Sequence, residues 1–251
     1  MTARNQPFMV MTEHSPIAFY DFDGTLVSSN IVTRYSFLVR RIPSRPRSAW
    51  KLLRLISSVP AYLLLDRVSR RLFNEVFFKE YRGFRKEWLD AQAQPLFEQA
   101  ILPTIFAGAR EMVEADRAQG LRVVLVTGEV DFTLGPVMSY FGFDGLIANT
   151  LVFQDGVATG AVAPPLIAEE AKVKAMMSLC RRYGADIRRS KAYSDSFSDA
   201  PMLEAVGYPC AVNPDRPLRK KAQARGWPIC DLLKSAGSRA SVERGNHAHI
   251  S

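Results

Sequence analysis

Cysteine and histidine are both scarce in this sequence, with three of each in 251 residues. Cys180, Cys210 and Cys230 are odd in number, widely spaced and form no CxxC pair, which argues against a disulfide framework and fits a reduced, cytoplasmic setting. His14, His247 and His249 all fall in the end segments, so a histidine-based zinc site is not expected, and the HAH near the C-terminus reads as solvated tail. Long apolar runs are missing too. The opening MTARNQPFMVMTEHSP has no apolar stretch of signal-peptide length, and the most lipid-like run, Leu52 to Leu65, contains Arg54 and Pro60 and falls short of the roughly 20 apolar residues that a spanning helix needs. No internal repeat is present. What the chain does have is 47% hydrophobic and 23% charged residues, which suits one sizeable core with a smaller second unit and rules out a disordered or collagen-like chain. Lys and Arg outnumber Asp and Glu by 33 to 25, and the resulting +8 predicts attraction to an anion: nucleic acid, anionic lipid or a phosphorylated metabolite.

Short apolar runs end repeatedly in polar loops. Ile17 to Tyr20 breaks into Asp21-Phe22-Asp23-Gly24-Thr25, Leu121 to Val126 ends in Thr127-Gly128, Ser190 to Tyr193 ends in Ser194-Asp195-Ser196, and Cys210 to Val212 ends in Asn213-Pro214. Helical patterns lie between them, at Ala107 to Gln119, Glu169 to Tyr183 and Ala200 to Val206, the first two stopped by Gly120 and Gly184. Strands alternating with helices predict an α/β fold, a doubly wound parallel sheet that binds ligands at the carboxyl ends of its strands. Leu146 to Phe153 and Val157 to Val162, joined across Gln154-Asp155-Gly156, look like a β-hairpin appended to this core. Residues 31–100 offer no convincing strand and read as a helical insertion straight after the first strand loop. The expected organisation is an N-terminal extension over 1–15, a catalytic core from 16–30 and 101–234, a helical cap over 31–100 and a flexible tail over 235–251.

The DxDGT after the first strand places two carboxylates in one loop, with Gly24 allowing a tight turn beneath them. An isolated DxD is weak, because any acidic turn produces it. Asp195 and Asp199, in SDSFSDAPML after a later strand, strengthen it, since a parallel sheet would bring both clusters to one edge. Three or four carboxylates gathered there repel one another unless a cation neutralises them, and an all-oxygen donor set favours Mg²⁺.

Taken together, DFDGTL at Asp21 to Leu26, VVLVTG ending at Thr127-Gly128, the lysine of EEAKVKAM and YSDSFSDAPML at Tyr193 to Leu203 resemble the signature elements of the haloacid dehalogenase-like phosphohydrolases. These elements span most of the chain. The place of the insertion resembles the subgroup with helical caps that includes phosphoserine phosphatase and lipid-phosphate phosphatases. The resemblance implies that Asp21 is a nucleophile forming an aspartyl-phosphate and that Asp23 protonates the leaving alcohol and then activates water. It further implies Mg²⁺ held by Asp21, the main-chain carbonyl of Asp23 and Asp195, with Asp199 orienting the metal shell. Thr127 and the Gly128 N–H would hold phosphoryl oxygens, and a lysine would neutralise them. Lys172 and Lys174 compete for that role, and spacing together with the family pattern favours Lys172. Ser194 stands where most relatives have glycine; it is small enough to keep the strand end tight and could add its hydroxyl to the site. Ser196 and Ser198 read as loop solvation.

The excess charge is regional. Residues 34–86 carry 14 Lys and Arg against 3 Asp and Glu, net +11, and the rest of the chain is −3. A cap this basic suggests a substrate with more negative charge than one phosphate, or an anionic surface nearby. Apolar residues interleave with the basic ones: Trp50, Leu52, Leu53, Leu55 and Ile56, then Tyr62, Leu63, Leu64 and Leu65, then Leu72, Phe73, Phe77 and Phe78. Either they pack the cap's own core, or they form a basic amphipathic surface resting on anionic lipid. The loose likeness of this cap to that of phosphatidylglycerophosphatase-type members points to a lipid phosphate. No nucleic-acid motif accompanies the charge. The expected function is Mg²⁺-dependent hydrolysis of a phosphomonoester, lipid-linked or polyanionic, by a cytoplasmic protein with peripheral contact to the inner face of the membrane. The alternatives are a phosphatase of a small metabolite such as phosphoserine, a phosphotransferase, and a non-catalytic protein that docks on a membrane or partner.

Overall fold

A computed structural model describes residues 15–232, apart from the side chains at 66 and 67. The expected N-terminal extension, the flexible tail and all three histidines lie essentially outside the described residues. The centre of the molecule is a six-stranded, all-parallel sheet in the order β3-β2-β1-β6-β7-β8, from β1 (Ile17–Tyr20), β2 (Arg122–Val130), β3 (Gly145–Asn149), β6 (Lys191–Ser194), β7 (Tyr208–Val212) and β8 (Ile229–Cys230). The antiparallel pair β4 (Leu151–Gln154) and β5 (Val157–Val162) stands apart from it. Every residue of β1 is buried, as befits a short apolar strand covered on both faces. The covering helices are α5 (Ala109–Ala118) and α6 (Gly135–Phe141) on one face, with α7 (Glu170–Tyr183), α8 (Ala200–Ala205) and α9 (Arg216–Arg225) on the other. All three cysteines are free thiols.

The elements from 31 to 96 are helical, as the sequence predicts: α1 (Ile31–Arg40), α2 (Arg45–Val68), α3 (Arg70–Phe77) and α4 (Lys86–Leu96). Asn30 starts α1 with a reciprocal cap, its side chain accepting from the Thr33 N–H while Thr33 Oγ1 accepts from the Asn30 N–H, both at 3.0 Å. Tyr35, Tyr62, Phe73, Phe77 and Tyr81 form the cap's own aromatic core, with ring centroids 5.2 to 6.4 Å apart, mostly edge to face.

Several expectations need correction. The second strand does not end at Val126 but runs through Thr127-Gly128 to Val130, with Glu129 buried in it against Arg34. The stretch 146–153 is not one hairpin arm: Asn149 still pairs with β2, whereas Leu151 pairs with Val162. The chain changes partners at Thr150, whose hydroxyl donates to Asp131 at 2.7 Å. The hairpin is not appended to the core either, since Leu151 and Ala158 are buried in the cap's cluster, and Gly83 and Lys86 donate backbone N–H groups to Ala158 and Gly156. Conversely, Leu96, Phe97 and Ile101 pack into the main core. The helices α6 and α9 and the strand β8 were not anticipated.

Cap and core are joined by one buried cation. On α1 the buried residues Ile31, Arg34, Tyr35, Leu38 and Val39 follow helical spacing, so Arg34 occupies a position on the apolar stripe. Its Nη2 reaches both carboxylate oxygens of Asp23 at 2.6 and 2.8 Å, its Nε donates to Glu129 at 2.5 Å, and its Nη1 reaches Ser29 at 3.3 Å. Arg34 and Glu129 are fully buried, so each carries a desolvation cost that only the other groups of the cluster offset. Arg34→Met should therefore destabilise the fold by about 3–5 kcal/mol, because it strands the Glu129 carboxylate in the interior. Adding Glu129→Gln should restore a large part of that loss. Urea unfolding of the two variants tests this, and an unshifted midpoint for Arg34→Met would remove the claim that this cluster holds cap to core.

Candidate active site

The register of the sheet assembles the site. Tyr20 pairs with Leu125 on one side and Tyr193 on the other, and the Asp21 N–H continues the ladder to the Tyr193 carbonyl at 2.9 Å. Thr127-Gly128 and Asp195 therefore flank Asp21 from the neighbouring strand ends, at the point where the chain's order across the sheet reverses. Lys172 enters from the first turn of α7, and Asp199 from the turn before α8.

All seven candidate residues, Asp21, Asp23, Thr127, Gly128, Lys172, Asp195 and Asp199, line one cavity. Lys172 Nζ donates to Asp21 Oδ1 at 2.7 Å and to Asp199 Oδ2 at 2.8 Å. Lys174, its rival, is exposed on the far side of the turn. The Ser194 hydroxyl donates to Asp199 Oδ2 at 2.9 Å, so the serine that departs from the family pattern helps to fix Asp199. Ser196 and Ser198 bond to each other and tie their own turn. Thr127 Oγ1 accepts the Glu129 N–H at 3.1 Å, which leaves the hydroxyl proton to donate elsewhere.

Burial and mutual repulsion set the electrostatics. Burial pushes the Asp21 carboxyl up to about 6, with Lys172 pulling the other way and Asp199 and Asp23 adding to the rise. Burial, with Asp21 and Asp199 close by, lifts Asp195 well above the carboxylate range. Burial works against the Lys172 ammonium, but Asp199 and Asp21 outweigh it and raise its pKa. The Asp195 carboxylate presses directly against Gly24, where a Cβ would lie 1.9 Å from Asp195 Oδ2, and the backbone there is left-handed with φ +78°. Only glycine is compatible with both conditions.

The four carboxylates do not meet in one cage. Among the described residues no group of three or more acidic, histidine or cysteine side chains converges in metal-ligating geometry. The Asp23 carboxylate is committed to Arg34, and Asp199 to Lys172 and Ser194. The pair left facing each other is Asp21 and Asp195, with Thr25 Oγ1 3.5 Å from an oxygen of each. That all-oxygen pair fits a hard divalent cation that binds one or two carboxylates and completes its shell with water and phosphate.

Three residues of this site were not anticipated. Arg34 holds Asp23 and is itself held by Glu129; the signal was a lone cation on the apolar face of α1. The third is Asn74 of α3, 2% exposed and lining the cavity, whose Nδ2 has no hydrogen-bond partner. That nitrogen would lie 2.9 Å from a Cβ built on Gly128, so it stands directly over the expected phosphate loop.

The haloacid dehalogenase-like hydrolase family matches residues 18–204. A probable phosphatase of Mycobacterium tuberculosis (strain H37Rv) is 29% identical over 242 residues, covering 93% of this chain and 81% of that protein. A phosphoserine phosphatase of the same organism is 29% identical over 221 residues, covering 86% of this chain and 70% of its own length. Among solved structures, a phospho-aspartyl intermediate analogue of phosphoserine phosphatase superposes with a TM-score of 0.66 at 18% identity, covering 88% of this chain and 95% of that one, a likeness of fold. With the signature residues gathered at one sheet edge and the match running from β1 through α8, the chain belongs to the haloacid dehalogenase-like hydrolases, as one of the family's phosphatases.

Proposed function

We propose that this chain hydrolyses phosphomonoesters with the aid of Mg²⁺, through a phosphoryl group carried covalently on Asp21. The observation that supports it most is the placement of Asp21, buried at the end of the central strand, held by Lys172 at 2.7 Å and flanked by Thr127 and Asp195. A carboxylate oxygen of Asp21 attacks phosphorus, and the bond to the ester oxygen breaks. Asp23 gives that oxygen its proton, so the alcohol leaves neutral. Asp23 then takes a proton from a water that attacks phosphorus, which releases inorganic phosphate and regenerates the Asp21 carboxylate. The Thr127 hydroxyl, the Gly128 N–H and the Lys172 ammonium neutralise the phosphoryl oxygens in both steps. Asp199 and Ser194 orient Lys172. When bound between Asp21 and Asp195, Mg²⁺ would screen the approach of one anion to another.

The cap side of the cavity bears on the leaving group. Ile31, Arg70 and Asn74 face it, which places there a free amide donor and a cation that also acts on Asp195, but no acidic group of the cap. The two glutamates of residues 34–86 are engaged elsewhere: Glu80 is buried and bonds Arg54 and Tyr62, and Glu75 is exposed and pairs with Arg71. An alcohol bearing carboxylate, phosphate or hydroxyl groups suits this lining, and one bearing only an ammonium does not.

Asp21→Asn should lower phosphate release from p-nitrophenyl phosphate by about a thousandfold or more while leaving circular dichroism unchanged. Chelation should silence the wild type until Mg²⁺ is returned, and turnover in Asp21→Asn or in chelator would refute the reading. Asn74→Ala should cut kcat/KM by about tenfold for esters of anionic or hydroxylated alcohols. The loss for p-nitrophenyl phosphate should be smaller. Ethanolamine phosphate as the best substrate in a panel would overturn the assignment of the leaving-group side.

A further inference from the structure

The cap contains more apolar surface than it buries. On α2, Lys51, Leu55 and Tyr62 face inward, while Trp50, Leu53, Ile56, Leu63, Leu64 and Val68 are between 57% and 69% exposed. At helical spacing these six fall along one side of α2, with Pro60, also exposed, among them. A helix apolar on two sides calls for a second apolar environment. No helix among the described residues is long and apolar enough to cross a membrane, and α2 itself carries Arg45, Arg47, Lys51 and Arg54 in its first half.

Charge selects the occupant. Exposed cations border the stripe at Arg45, Arg47 and Arg54, and others lie nearby at Arg40, Arg41 and Arg71. Of the two acids with described side chains in residues 34–86, Glu80 is buried and Glu75 is paired with Arg71. A second copy of this chain on the same face would bring cation against cation, whereas an anionic lipid surface would meet both the apolar stripe and its rim. The stripe also leads to the catalytic cavity. Past Val68, Ser69 caps α3 and donates to Glu169 at 2.9 Å, and α3 then contributes Arg70 and Asn74 to the cavity wall.

We propose that the exposed face of α2 is a docking surface for anionic membranes, lying flat in the headgroup region and bringing the mouth of the active site beside it. The test is co-flotation of the full chain with vesicles of phosphatidylcholine alone and with about 30% phosphatidylglycerol. Binding should be at least about tenfold stronger to the anionic vesicles and should weaken with salt. The double variant Leu53→Glu with Leu64→Glu should lose about tenfold or more of that binding. Val152→Glu, at an exposed apolar residue of the hairpin, should bind as the wild type does. Both variants should retain p-nitrophenyl phosphate hydrolysis, so that loss of docking is read separately from loss of catalysis. Equal binding to neutral and anionic vesicles, no binding to either, or concentration-dependent dimerisation that the double variant abolishes would each overturn the proposal.

Discussion

The buried guanidinium of Arg34 is the interaction on which both the architecture and the site depend. It belongs to the cap by position in the chain, yet its partners are Asp23 in the loop after β1 and Glu129 in β2. Removing Arg34 leaves the Glu129 carboxylate unpaired in a region where water cannot compensate it. The cap is thus not simply laid over the core. Its first helix is ionically anchored to the two strands that carry Asp21 and Thr127, and the proposed proton carrier, Asp23, is part of the anchor.

The same economy of charge runs through the rest of the site. Lys172 bridges Asp21 and Asp199, so two carboxylates that would otherwise repel share one ammonium. Asp21 and Asp195 face each other, and burial and proximity push both towards the protonated state. A divalent cation would reverse that tendency and keep the nucleophile ionised, which gives the all-oxygen site its physical logic. Gly24 permits it: any side chain there would displace the Asp195 carboxylate.

Much of this was legible in the sequence because it depends on local order. A short apolar strand ending in acids, repeated along the chain, announces a parallel sheet with its chemistry at one edge, and Asp21, Thr127, Lys172 and Asp195 stand where that reading puts them. What could not be read depends on pairing between distant segments. Nothing near Glu129 in sequence marks it as buried, because its partner Arg34 is 95 residues away. The stretch 146–153 has continuous strand character, and only the geometry of two competing partners reveals the switch at Thr150. Asn74 is one polar residue in a helix of mixed character, and its importance lies in what it fails to bond.

The cap illustrates the limit of counting. A net +11 over residues 34–86 is correct as arithmetic but mixes three kinds of cation. Arg34 is consumed by acids of the core. Lys51 is buried against the Glu80 carbonyl and the Phe84 ring, where burial lowers its pKa to about 8. Arg45, Arg47 and Arg54 face solvent on α2, and there they border an apolar stripe. The two sequence readings of the interleaved Leu, Trp and Phe residues, cap packing and an amphipathic surface, are both supported once the residues are sorted by side. Tyr62, Phe73 and Phe77 build the cap's interior, while Trp50, Leu53 and Leu64 point away from it. Packing accounts for the first group and not for the second. The second group needs its own physical reason, because apolar side chains left in water contribute nothing to the stability of the cap that bears them.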